Sequence, residues 1–262
     1  MRLLKKRQCI ESDKQMELDN KFGERFLVTL SKNIAKFLKT TQYSLSECEL
    51  CKSHHLIHPL LCRHCYEDLP LFSYQHLHKN LLNWPAIDKL FPHRAFEQLL
   101  CLSPYVTPFD HWLKQLKYQQ RFELADLFGF LLAQLWRNQK LGNDDSALLS
   151  VPIHIKKWQQ RGFNQAHLIA KAFAKRSHLP YLDHAIIRSS YCESQVGQSG
   201  KQRRKNLKNA FQLSKTINKW PSHIILVDDV ITTGTTTNTI CKLLKKKGVK
   251  HITVLTVALT LP

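Results

Sequence analysis

The stretch from His223 to Thr237 constrains this chain most. Ile224 to Val227 is a short apolar run rich in β-branched residues, bounded by polar ones. It predicts a buried parallel strand. Asp228 and Asp229 stand where that strand emerges at its carboxyl end, the edge at which open α/β sheets bind ligands. A hydroxyl-rich turn follows, with Thr232, Thr233, Thr235 and Thr236 around Gly234. Ile240, Leu243 and Leu244 then recur at helical spacing, Lys245 to Lys247 close the last turn, and Gly248 supplies a C-cap. Ile252 to Val257 reads as the next strand. A strand–loop–helix–strand unit of this kind belongs to an α/β fold with a mainly parallel sheet flanked by helices.

The same order of residues carries chemistry. A phosphate needs several donors converging from one side. The N–H groups of a tight turn at a helix N-terminus supply them, and the helix dipole adds favourable potential. Gly234 lets the backbone approach closely, and the threonines add hydroxyl donors. The two carboxylates repel phosphate but suit ribose hydroxyls, or a Mg²⁺ that itself meets phosphate oxygens. A sugar phosphate with a divalent ion fits both halves. The plain alternative is a structural turn with threonines chosen for propensity.

Upstream, Cys48 and Cys51 form one Cys-x-x-Cys pair and Cys62 and Cys65 another, with ten residues between the pairs. Four thiolates so spaced match a closed tetrahedral Zn²⁺ site, and a complete set leaves no open position for catalysis. His54, His55, His58 and His64 are further ligand candidates nearby. Disulfides are the competing reading. The basic segment Met1 to Arg7 is not followed by an apolar signal region, which points to a cytoplasmic, reducing setting and against disulfides. Cys9, Cys101, Cys192 and Cys241 lack ligand spacing.

Between knot and signature, residues 109–136 carry helical periodicity at Trp112, Leu116, Leu124, Leu127, Phe128, Leu131, Leu132 and Leu135. Lys117 to Arg121 interrupts it and predicts a polar junction between two helices. Ala147 to Val151 reads as a strand ended by Pro152. The segment after it, with Lys157, Arg161 and Gly162, predicts a basic loop ahead of a helix running through Ala174. It is a second candidate anion site, or simply a solvated basic turn. Gln198 to Phe211, with Arg203 and Arg204, has few apolar residues and two glycines nearby. It is expected to move without ligand and to close over phosphates, as such loops do in transferases. A charged surface loop is the alternative.

Val227 to Thr236 resembles the phosphoribosyl-pyrophosphate (PRPP) signature of type I phosphoribosyltransferases. In that family the acid pair contacts the ribose hydroxyls and the Thr/Gly loop holds the 5′-phosphate. No Gly-Lys-Ser/Thr follows the glycine, so this is not a Walker A loop. The four-cysteine knot, Leu116-Lys117-Tyr118, Arg161-Gly162-Phe163-Asn164-Gln165, Arg203-Arg204-Lys205-Asn206-Leu207 and the terminal signature, in this order, resemble the ComF family of competence proteins, the ComFC type. The resemblance spans about residues 46–260. It implies a small zinc module over 46–72 and a phosphoribosyltransferase-like domain over 73–262. It also implies a role in natural transformation, on incoming single-stranded DNA in the cytoplasm, with a competence helicase and DNA-processing proteins as partners. Residues 1–45 lie outside the pattern and predict a helical extension, with an amphipathic set from Phe22 to Leu38.

Charge sharpens the choice of partner. The chain of 262 residues carries a formal net charge of +19. Its Lys and Arg concentrate at 156–161, 171–176, 201–208 and 242–250, which suits a polyanion. Tyr118, Trp158, Phe163 and Trp220 lie near basic residues, as stacking on unpaired bases requires, although such rings are commonly core. No apolar run reaches membrane-spanning length. Two functions follow. One is phosphoribosyl transfer from PRPP with Mg²⁺, with Asp228 and Asp229 as the catalytic carboxylates that hold ribose and position metal, Thr232 to Thr236 on the 5′-phosphate, Lys157, Arg161 and Gly162 on pyrophosphate, and Arg203 and Arg204 as lid cations. The other is a non-catalytic nucleic-acid-binding module with PRPP as effector. Purine salvage is a third reading, but it needs neither the zinc knot nor the charge. The sequence names no acceptor.

Overall fold

The computed structural model describes residues 46–139, 142, 144–188 and 210–261. The N-terminal extension 1–45 and the lid arginines Arg203 and Arg204 lie outside the described residues. The chain divides into two compact units between Glu67 and Asp68.

The described part of the first unit is a metal-ribbon-like knot. Strands β1 (Leu56–His58) and β2 (Leu61–Cys62) pair antiparallel, and a short helix α1 (Arg63–Glu67) follows. The Glu49 N–H donates to the Leu60 carbonyl over 3.0 Å, which ties the first cysteine pair to this hairpin. The apolar content is small, with Leu61 and the sulfurs of Cys48 and Cys62 buried.

The second unit is built on a four-stranded sheet. In chain order its strands are β3 (Gln98–Pro104), β4 (Ser146–Ser150), β7 (His223–Ile231) and β8 (His251–Leu259). Their spatial order is β3-β8-β7-β4 and every pairing is parallel. The strands are buried along almost their whole length, as a parallel sheet covered on both faces demands. Alternate residues of each strand face opposite sides. Ile224, Leu226, Ile252 and Val254 pack on one face with Ile240, Cys241 and Leu244 of α7 (Thr235–Lys246). Helices α3 (Phe109–Gln119), α4 (Glu123–Gln139) and α6 (Gln165–Ser177) contribute the remaining helical layer, and Arg176 ties α6 to Asp126 of α4 at 2.6 Å. A short helix α2 (Pro85–Asp88) precedes β3. Strands β5 (Ile186–Arg188) and β6 (Phe211–Leu213) form a separate antiparallel ribbon.

Three local expectations change. First, β7 does not stop at Val227. It runs to Ile231, so Asp228 and Asp229 lie within the strand, with Asp228 opposite Thr256 and Val230 opposite Ala258. The reason is the equal length of β8, which keeps supplying hydrogen-bond partners. Second, the helix α3 continues through Lys117 and Tyr118 to Gln119. The break falls at Gln120, in the left-handed region at φ 55°. Third, the basic loop after Pro152 is a helix, α5 (Ile155–Arg161). His154 caps it by accepting from the Lys156 N–H at 3.1 Å, and Gly162 ends it at φ 79°.

The neighbour of β7 on its other side is shorter. β4 ends with Ser150 opposite Val227, and the Val151 N–H makes the last bond, to the Val227 carbonyl. Pro152 cannot donate to continue the ladder. From Asp228 onward β7 is therefore paired on one side only, and a crevice opens where β4 should have been.

Candidate functional site

Two places concentrate chemistry. In the first unit the sulfurs of Cys48, Cys51, Cys62 and Cys65 all lie within 4.8 Å of one another, and Cys51 and Cys62 approach to 3.5 Å. A tetrahedral ion with bonds of about 2.3 Å to sulfur sets its ligands roughly 3.8 Å apart, so the cluster has the size such an ion requires. None of the four cysteines is in a disulfide. Burial pushes the Cys48 thiol up, but hydrogen bonds from the backbone of Cys51, Cys62 and Leu50 outweigh it and bring it to about 7. The Cys65 N–H also points at the Cys62 sulfur over 3.4 Å. Backbone donors aimed at sulfur favour a thiolate at Cys48, whereas burial and then the neighbouring sulfurs raise the Cys65 thiol, so four thiolates together need a cation among them. None of the nearby histidines joins the cluster.

The second place is the crevice at the end of β7, a cavity of about 190 Å³. One wall is β7 and its turn, from Asp228 through Thr237. Thr232, Thr233 and Thr235 are exposed in it, and the hydroxyls of Thr233 and Thr235 lie 2.9 Å apart. The turn leads straight into α7, whose first N–H groups lack intrahelical acceptors and carry the positive end of the dipole. No acidic residue occupies that first turn. Gly234 is buried at φ 64°, and an added Cβ would meet the Phe91 ring at 2.8 Å. Glycine is thus required twice, by conformation and by space. Asn238 fixes the approach of this neighbouring segment, accepting from the Ala95 N–H and donating to the His93 carbonyl.

The acid pair is held asymmetrically. The Lys117 ammonium from α3 stands 2.6 Å from Asp229, and Gln165 at the start of α6 donates to the same carboxylate at 3.4 Å. Burial raises the Asp229 carboxyl, but the Lys117 charge and hydrogen bond prevail and lower it. Among the described residues no cation forms such a close pair with Asp228. Burial, and then the charge of Asp229, push its carboxyl well above the usual carboxylate range. The pair therefore shares a proton more readily than two exposed acids would. The Gln165 Oε1 is buried and without a hydrogen-bond partner among the described residues. Two carboxyls and an orphaned amide oxygen form an all-oxygen donor set, the kind that suits a hard cation or sugar hydroxyls.

The opposite wall is the turn after β4 with α5. Lys157, His154 and Arg188 line it. Asn164 donates to the Val151 carbonyl at 3.0 Å and so pins the turn to the start of α6. Burial, then Arg188, Lys156 and Lys157, lower the His154 pKa, as expected in a cationic wall. The structure thus brings Asp228, Asp229, Thr232, Thr233, Gly234, Thr235, Thr236 and Lys157 around one space. It does not bring Arg161 and Gly162 there. The Arg161 guanidinium lies 5.0 Å over the Tyr118 ring, and Gly162 borders a neighbouring cavity. Lys117, His154, Gln165 and Arg188 line or reach the site without having been named for it. The signal for Lys117 and Gln165 was their place in the motifs Leu116-Lys117-Tyr118 and Arg161-Gly162-Phe163-Asn164-Gln165, which carried the family resemblance without a role for either residue.

Comparison with known proteins agrees with this geometry. The phosphoribosyl transferase domain model matches residues 159–260. The chain is 34% identical over 198 residues to "Competence protein F" of Haemophilus influenzae, covering 74% of this chain and 82% of that protein. It is 30% identical over 162 residues to "DNA utilization protein YhgH" of Escherichia coli strain K12, covering 61% and 70%. It is 31% identical over 101 residues to "Competence protein ComFC" of Bacillus subtilis, covering 38% and 39%. With most of both chains aligned to the first of these and a parallel sheet of the matching type, this chain belongs to the ComF family of competence proteins and carries a phosphoribosyltransferase-like domain.

Proposed function

We propose that the crevice beside β7 binds PRPP with Mg²⁺, and that the chain acts in DNA uptake in the cytoplasm, on or with single-stranded DNA. The observation that carries this reading is one cavity shared by the acid pair, the threonine turn at the α7 N-terminus, Lys157 of α5 and Arg188 of β5. Asp228 and Asp229 accept from the ribose hydroxyls. Thr232 to Thr236 and the first turn of α7 hold the 5′-phosphate. Lys157 and Arg188 face the pyrophosphate side, and Arg203 and Arg204 are assigned the lid on sequence grounds. Mg²⁺ held near Asp228, Asp229 and Gln165 would supply positive charge to phosphate oxygens. If transfer occurs, the same carboxylates stabilise the positive charge that builds at the ribose C1. The DNA half of the reading rests on the names of the relatives and on the +19 charge. The four-cysteine cluster is assigned a structural Zn²⁺ that folds the first unit.

The test is calorimetric titration of PRPP with Mg²⁺ into the wild type and into Asp228→Asn/Asp229→Asn, paired with single-strand binding over a salt series. The double variant is expected to bind PRPP about ten-fold more weakly or worse, since both carboxyl groups that accept from the ribose are lost. DNA binding should persist in it and fall steeply with salt. Equal PRPP affinity in both proteins would sink the ligand assignment, and a flat salt response would sink the DNA one. Pyrophosphate release in the presence of nucleobase or nucleic-acid acceptors then separates a transferase from a module that uses PRPP as effector.

A further inference from the structure

Beyond the turn after β4 lies a second cavity of about 650 Å³, within the ~300–1,000 Å³ typical of small-ligand sites. It borders Pro152, Ile153, Asn164 and Arg188, as the crevice does, so the two spaces sit on either side of one turn. Its rim is unusual. Ile155, Trp158 and Ile187 come from two elements and leave 40%, 50% and 55% of their surfaces in solvent. Single exposed apolar side chains need no explanation, but three around one cavity do. On the α5 side, Trp158 is flanked in sequence by Lys156, Lys157 and Arg161. The far end is polar. Asp183 lies 3.3 Å from His167 and 3.4 Å from His184, and His167 and Ser150 both bond the Tyr181 hydroxyl.

We propose that this cavity receives an unpaired nucleobase of a DNA single strand, stacked on Trp158, with the phosphates running along the basic face of α5 toward Arg188. An aromatic platform among cations on one helix is what a sequence-tolerant single-strand site requires. The distribution of charge sets the orientation. Asp183 repels phosphate and can accept from the amino group of a base, whereas the α5 side attracts the backbone. The inference rests on the reading that the chain works with single-stranded DNA, and it names where one base would sit.

The experiment is fluorescence anisotropy with a short labelled oligonucleotide at low salt and without PRPP. Trp158→Ala is expected to weaken binding about ten-fold, and Trp158→Phe to retain most of it, because stacking needs a ring. An oligonucleotide with abasic positions should lose as much on the wild type and nothing further on Trp158→Ala. Trp158 is half exposed, so the variant should keep the wild-type melting temperature and its PRPP titration. Wild-type affinity in Trp158→Ala, or for the abasic strand, would overturn the cavity assignment while leaving the DNA reading intact. A wild type that binds no strand would overturn both. A mononucleotide that competes as well as the strand would overturn the proposal in favour of a free ligand.

Discussion

Asp229 keeps its charge inside a crevice because Lys117 stands beside it, and that pairing links α3 to β7. Both side chains are mostly buried, at 16% and 12% exposure. Removing one partner of such a pair leaves a desolvated charge, and Lys117→Met is expected to cost about 2–4 kcal/mol at neutral pH. The pH dependence has a definite sign. Asp229 is lowered in the folded state, so its contribution is present above its ordinary value of 3.8 and lost as pH falls through the folded value. The gap between wild type and variant in urea melts should therefore be full near pH 7 and close in acid. A gap that stays constant with pH would show that the ammonium acts by packing alone. Lys117 also neutralises the acid that the ribose is proposed to use, so the variant should bind Mg²⁺ more tightly even as it melts earlier.

At the scale of elements, the turn between β7 and α7 is the least replaceable part of the site. Gly234→Ala puts a methyl against a buried aromatic ring and forces a left-handed backbone on alanine. The expected loss is about 1–3 kcal/mol from the backbone, with more from displacement of Phe91. Thermal melting and PRPP titration of this variant should both suffer, whereas Gly248→Ala, with open space at φ 89°, should lose stability alone. This turn was legible in the sequence because its chemistry is local: an apolar run, two acids, threonines and one glycine lie side by side. The helix α5 was not legible. None of its residues is buried, so it leaves no apolar stripe to count and stands on its His154 cap and the Gly162 stop. The length of β7 was hidden too, because whether Asp228 continues a strand depends on β8. Pairing of Lys117 with Asp229 joins distant segments, and no single-chain pattern encodes a contact of that kind.

The molecule as a whole combines two ways of stabilising a fold. The second unit has a core large enough to stand on apolar burial, with Cys101 and Cys241 sealed in it and their thiols raised by burial. The described part of the first unit has almost none and needs its four sulfurs joined. If the cluster holds the proposed zinc, a chelator is expected to release it and expose Cys48, Cys51, Cys62 and Cys65 to a thiol reagent while Cys101 and Cys241 stay silent. The helical ellipticity of the second unit should survive, since among the described residues the long helices lie there. Reaction of Cys48, Cys51, Cys62 and Cys65 at full rate before chelation, in a variant with Cys9 and Cys192 replaced by serine, would exclude a bound metal.

The order of strands has a consequence for how the chain is made. β8, encoded last of the four, lies between β3 and β7, and Gln98 reaches its partner Thr253 across 155 residues. On a ribosome, β3 emerges long before β8, the strand that joins it to β7. It must wait with an apolar edge unpaired, the state in which strands find wrong partners. A nonsense codon between β7 and β8 would not merely shorten this domain but divide it, leaving β3 on one side of a gap and the acid-bearing strand on the other.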